Sequence, residues 1–205
     1  MLGNIEVLCH SSIKFSKEKV IYFDPFKIES NCNDADIIFI THDHYDHYSP
    51  EDIKKVIKED TIIVAPKTIK ELNNKENIIF VEPNKTYNIK GYKMDTIPAY
   101  NINKHFHPKE NNWVGYIIEI EGIKYYIAGD TDIIPENQQI KCDVALIPIG
   151  GTYTMDYKEA SELINIIKPK IAIPTHYGSI VGDITDGEKF KKLIDNTIDV
   201  QILIK

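Results

Sequence analysis

The chain has 205 residues, of which 42% are hydrophobic and 10% aromatic, enough for a single domain over 1–205 with a full core and no need of staples. A net charge of −7 with no long basic run weighs against nucleic-acid binding, which relies on clustered Lys and Arg. No apolar run approaches the roughly 20 residues of a membrane span, the N-terminal MLGNIEVLCHSS lacks a signal peptide's basic and apolar regions, and Cys9, Cys32 and Cys142 are isolated, so reduced thiols in a cytoplasm are expected.

Short apolar, β-branched runs recur from end to end: IEVL, KVIYF, DIIFI, TIIVA, NIIFV, YKMDTI, VGYIIEI, IKYYIA, DVALI, KIAI and VQILI. Several are continuously apolar and bounded by turn residues, as strands buried on both faces are. Helical signals are fewer. Ser49 reads as an N-cap, with Pro50 at the first helical position and Glu51 and Asp52 in the first turn. The segment after Pro66 also reads as a helix. Over Asp156–Ile167, Ala160, Leu163, Ile164 and Ile167 form a helical stripe, opened by an Asp156/Glu159 capping box. A last helix is expected from Gly187 to Asn196. The strands are too many for one doubly wound sheet, and the helices too few for an alternating barrel. The expected fold class is α+β: two mixed sheets flanked by helices, an αβ/βα sandwich.

The polar chemistry follows the strands. DIIFI runs into THDHYDHYSP, which carries three of the chain's seven histidines. YKMDTI leads through Pro98 into AYNINKHFHP, IKYYIA into GDTD, DVALI into PIGG, and KIAI into PTHYGS. If these loops share one edge of the sandwich, their His and Asp residues converge on one pocket, and loops on a rigid scaffold are where catalytic groups usually sit. The HxHxDH stretch suits a pair of divalent cations, with imidazoles for borderline metals and a carboxylate for charge. His42 and His44 can face one side while the following turn aims Asp46 and His47 differently. His105 or His107, Asp130 and His176 are the further donors, although each, taken singly, reads as an ordinary loop residue.

These residues, in this order, resemble the metallo-β-lactamase superfamily of metal-dependent hydrolases, over essentially the whole chain. CHSS, IYFDPF, and GDTD with PIGG and HYG are similar to a prokaryotic branch that includes ascorbate-6-phosphate lactonase-like proteins. The resemblance implies a four-layer sandwich and two divalent ions, Zn²⁺ before Mn²⁺ or Fe. It implies His42, His44 and His107 on the first ion, Asp46, His47 and His176 on the second, and Asp130 bridging. FHP at 106–108 favours His107 over His105. Asp24 is implied to support the HxHxDH loop, an ordinary Asp-Pro turn being the alternative. His10 ends an early strand and could border the pocket, but a packed or solvent-facing histidine is the favoured account. The chain lacks the helical domain of the glyoxalase II group and the insertions of RNA-processing members. HxHxDH also departs from the di-iron oxygen-reducing branch.

The activity implied is hydrolysis of a small-molecule ester, lactone or phosphoester, with Asp46 as both ligand and base and Asp130 setting the intermetal distance. Gly150 and Gly151 could let backbone approach substrate, and Asn101, Lys104, Tyr153 and Tyr177 are pocket-wall candidates, each more simply read as surface. A phosphodiesterase or nuclease using the same centre, and a non-catalytic metal-binding protein, stay open as alternatives. Oligomeric state is not legible.

Overall fold

The computed structural model describes residues 4–73 and 76–204, so Met1–Gly3 of the N-terminal segment, Asn74, Lys75 and Lys205 lie outside it. The backbone divides into two compact units, one running to Val81 and the other over Glu82–Leu203, and each carries one mixed sheet.

The first unit contains β1 (Ile5–Cys9), β2 (Ser12–Ser16), β3 (Val20–Phe23), β4 (Ala35–Phe39), β5 (Ile57–Pro66) and β6 (Ile78–Val81), paired in that order. β1, β2 and β3 form an antiparallel meander, and β3 to β6 run parallel. Ile37, Ile38 and Phe39 of β4 are all fully buried, because both faces of this strand are covered. One face carries the Phe15, Phe23 and Phe39 rings, with Phe23 and Phe39 stacked at 4.8 Å. The other packs Ile38, Ile63 and Ala65 against Ile53 and Val56 of helix α1 (Pro50–Val56).

α1 begins as expected. The Ser49 hydroxyl accepts from the Asp52 amide, and Pro50 occupies the first turn, where its missing N–H is harmless. Asp52 in turn clamps the preceding loop. Its carboxylate accepts from the amides of Lys27 and Ile28, from Ser49 Oγ and from Lys55 Nζ.

The second unit contains β7 (Thr86–Ile89), β8 (Tyr92–Pro98), β9 (Val114–Ile120), β10 (Ile123–Ile127), β11 (Val144–Pro148), β12 (Ile171–Thr175) and β13 (Asp199–Val200). β7 to β10 are antiparallel neighbours, and β10 to β13 are parallel. Both sheets therefore start as a meander and finish as parallel strands. Helix α2 (Tyr157–Ile167) buries Ala160, Leu163, Ile164 and Ile167, each large side chain contributing about 1.5–3 kcal/mol relative to exposure. Its capping box is present, with Asp156 accepting from the Lys158 and Glu159 amides and Glu159 accepting from the Asp156 amide. Helix α3 (Asp186–Leu193) is slightly shorter than Gly187–Asn196 implied at its C-terminal end and starts one residue earlier.

Three local expectations change. The segment after Pro66 forms only a 3₁₀ turn at Lys70–Leu72, with no side chain capping its start. The strands β2 and β7 have no counterpart among the apolar runs. β2 (SIKFS) buries Ser12, Ile13 and Phe15 while Ser16 is exposed; β7 (TYNI) is an edge strand that buries only Ile89. VQILI pairs no further than Val200, where the ladder ends.

Candidate functional site

In the first unit, the loops after β1, β3 and β4 meet around HxHxDH. Asp24, just past β3, has a left-handed backbone (φ +44°) and is 1% exposed. Its Oδ1 accepts from the Thr41 amide at 2.8 Å, and its Oδ2 accepts from Thr41 Oγ1 at 2.7 Å and from His47 Nδ1 at 2.7 Å. Burial raises the Asp24 pKa, and the His47 ring with the Thr41 donors opposes that rise. The early Asp-Pro is thus the support of the histidine loop and not an ordinary turn.

This network sets tautomers. Asp24 only accepts, so His47 carries its proton on Nδ1 and directs an Nε2 lone pair elsewhere. The Thr41 hydroxyl spends its one hydrogen on Asp24, so it accepts from His42 Nδ1 at 3.0 Å, which leaves His42 Nε2 as a lone pair. That nitrogen lies 3.1 Å from His44 Nδ1. His42, Asp46 and His47 are buried and His44 is partly buried, whereas Asp43 and Tyr45 between them are exposed. His10, 1% exposed, places Nε2 at 3.2 Å from Asp46 Oδ2, so it is packed, and packed against a site residue. Asp46 Oδ2 and His47 Nε2 are 3.8 Å apart.

In the second unit, the loops after β8, β10, β11 and β12 come together. Asp130, 3% exposed, follows β10 and puts Oδ2 at 3.2 Å from His107 Nε2 and 3.0 Å from His176 Nε2. His107 is 1% exposed, while His105 is exposed to solvent. The His107 orientation comes from Asn101, whose Oδ1 accepts from both its backbone N and its Nδ1, each at 3.0 Å. Asn101 Nδ2 donates to the Tyr153 carbonyl, and Trp113 packs edge-on to the imidazole at 5.5 Å. Asp132, the second Asp of GDTD, holds the same loop by accepting from the Ile102 amide and from Lys104 Nζ.

Gly150 of the glycine pair has a use within the fold. A Cβ at Gly150 would overlap the His176 carbonyl oxygen and the Val181 side chain, so the missing side chain admits neighbouring backbone. His176 itself is left-handed (φ +59°), as are His10 (φ +56°) and Asp24. Such conformations cost non-glycine residues on the order of 1–3 kcal/mol and collect at functional sites. Tyr177 is fully buried and Lys104 is paired with Asp132, so neither behaves as the free pocket-wall contact suggested by sequence.

The donors fit divalent cations. With His107 protonated on Nδ1, its Nε2 lone pair faces a buried carboxylate oxygen at 3.2 Å, and two electron-rich atoms so close are reconciled by a positive charge. The bare Nε2 of His42 faces a second imidazole nitrogen, His44 Nδ1, at 3.1 Å. Imidazole and carboxylate donors without thiolate suit borderline metals. Asn101 and Thr41 are what sequence reasoning missed, Asn101 having been set aside as surface. Their only sequence signal was proximity to a candidate ligand.

Comparison with known proteins agrees with this chemistry. Residues 4–176 match the family described as the beta-lactamase superfamily domain. A UPF0173 metal-dependent hydrolase of Thermoplasma acidophilum is 32% identical, with 99% of this chain and 96% of that protein covered. One from Thermococcus onnurineus is 30% identical over 97% and 95%. Among solved structures, one from Parabacteroides distasonis has 32% identity and a TM-score of 0.84, covering 98% of this chain and 93% of that one. Igni18, a metallo hydrolase from Ignicoccus hospitalis, has a TM-score of 0.77 at 23% identity, covering 97% and 93%, and shows likeness of fold alone.

Proposed function

Since the chain belongs to the metallo-β-lactamase superfamily, with its sandwich fold, and is a metal-dependent hydrolase, we propose that it holds two divalent cations and hydrolyses a small ester, lactone or phosphoester. His42, His44 and His107 hold the first ion, Asp46, His47 and His176 the second, and Asp130 bridges them. The observation that carries this reading is Asp130, whose single oxygen Oδ2 lies within 3.2 Å of His107 and 3.0 Å of His176, imidazoles assigned to different ions. Zn²⁺ is the first choice of metal, with Mn²⁺ or Fe compatible with the same donors.

When bound, such a pair of cations lowers the pKa of a shared water towards neutrality and polarises the substrate oxygen. The chain's own residues do the rest. Asp46 takes the proton from the attacking water. Asp24 and Thr41 keep His47 and His42 in the tautomers that present Nε2, and Asn101 does the same for His107. The named relatives are hydrolases, which sets aside a non-catalytic role. The lactonase-like branch guides the choice of substrates. A small-molecule substrate and a cytoplasmic setting accord with the net charge of −7 and with Cys9, Cys32 and Cys142 standing outside any disulfide. Among the described residues no helix is long and apolar enough to cross a membrane.

The test is metal analysis of the purified chain together with assays on lactone, carboxylic ester, phosphomonoester and phosphodiester substrates. About two ions per chain and turnover of one of the first three are expected. Preferential turnover of the phosphodiester would favour a phosphodiesterase instead. Asp130→Ala should lose activity and most bound metal while keeping its circular dichroism. Two ions retained in that variant would sink the bridging assignment.

A further inference from the structure

His10 is a buried polar side chain beside the histidine loop that neither the seven-ligand set nor the Asp24–Thr41 network uses. It sits in the two-residue turn joining β1 to β2, where Cys9 pairs with Ser12. Its backbone is left-handed, a position that hairpins ordinarily fill with Asn, Asp or Gly. Its side chain is fully buried, which is unusual for a hairpin tip. Neighbouring Ser12 Oγ accepts from the Phe26 amide, anchoring the turn to the segment that carries Asp24. The imidazole stands edge-on to His47, with centroids 6.2 Å apart, and its Nε2 is 3.2 Å from Asp46 Oδ2.

A carboxylate only accepts, so the contact defines His10 as the Nε2–H donor. A nitrogen that carries this hydrogen has no lone pair for a cation, so although His10 is grouped with Asp46 and His47 among donors close enough to share an ion, in this contact it serves Asp46. We propose that His10 is a positioning residue for Asp46. By holding Oδ2 it fixes the rotation of the carboxylate, and so the oxygen that Asp46 turns to the reacting water. The proposal rests on the reading of Asp46 as base. Backbone strain at the turn follows from the same requirement: from that position a long planar donor reaches Asp46, whereas Asn, Asp or Gly would be easier on the backbone and too short.

The test compares the full chain with His10→Ala, His10→Gln and His10→Asn, each loaded with Co²⁺. Bound cobalt per chain, the visible cobalt absorption, thermal midpoint, and kcat and KM on p-nitrophenyl acetate are measured. His10→Ala should keep its cobalt but shift the absorption band and lose about 100-fold in kcat with KM little changed. His10→Gln, whose amide can reach as Nε2 does, should restore the band and most of kcat. Loss of cobalt in His10→Ala would make the residue a ligand and overturn the proposal. So would an unchanged band and kcat, or failure of both amide variants to recover the band. A wild-type chain that binds no cobalt sinks the two-ion reading and this one with it, whereas a wild type that binds cobalt and turns over ester beside an indifferent His10→Ala sinks positioning alone.

Discussion

Asn101 shows how much of a candidate ligand's behaviour is decided by a neighbouring side chain. Its Oδ1 holds both the backbone and the Nδ1 of His107, so the histidine arrives at Asp130 with its rotamer and tautomer already chosen. Such partners of metal-bound histidines are worth about 10–100-fold in metal affinity or activity. Asn101→Ala is therefore expected to weaken metal binding by about that factor in chelator competition. The neighbouring histidines should separate more sharply. His107→Ala should lose activity and bound metal, while exposed His105→Ala should match wild type in both. Equal losses in the two would return the choice between them to open. Sequence spacing left His105 and His107 close rivals, because residues two apart in a loop differ only in where the chain turns them.

At the scale of the element, α1 works as a brace for the loops around HxHxDH. Asp52 joins the helix's first turn to the amides of Lys27 and Ile28, to Ser49 and to Lys55. Burial pushes the Asp52 carboxyl up, but those donors together hold it below its usual value. A depressed folded pKa means stability that is fully present above the unfolded carboxylate value of about 3.9 and is lost as pH falls through the folded value. Asp52→Ala leaves two buried or half-buried amides without their acceptor and should destabilise by roughly 1–3 kcal/mol at neutral pH. The gap in thermal midpoint between wild type and variant should close below about pH 4. A gap that persists undiminished at pH 3 would show that the ionised carboxylate is not its source. Ser49, Pro50 and the acidic first turn made α1 legible, since capping chemistry is local; the hold on Lys27 and Ile28 was not, because it crosses the fold.

For the whole molecule, ions that bind only the folded chain should stabilise it by mass action, about 2.7 kcal/mol for one ion at 100 times its Kd. Removing metal with a chelator should lower the thermal midpoint, and adding back Zn²⁺ or Mn²⁺ should restore it. We propose that residues 1–205 act as one metallo-hydrolase domain. Calorimetry of the metal-loaded chain should then give one cooperative transition, and two resolved transitions would contradict that view. The topology invites the question, because each compact unit has its own sheet, a meander continued by parallel strands.

Local pattern was enough to specify the buried parallel strands, the capped helices and the HxHxDH loop, because apolar runs and capping groups act over a few residues. It also ordered the later candidates at strand ends. Strands β2 and β7 escaped it, since a short strand with few buried apolar side chains is defined by its neighbour's ladder and not by its own composition. The proton positions on His42, His47 and His107, the burial of His107 against exposure of His105, and the contact of His10 with Asp46 belong to tertiary structure alone. Each depends on hydrogen bonds whose partners the fold has brought into register, and hydrogen-bond geometry is settled within tenths of an ångström that no spacing along the chain encodes.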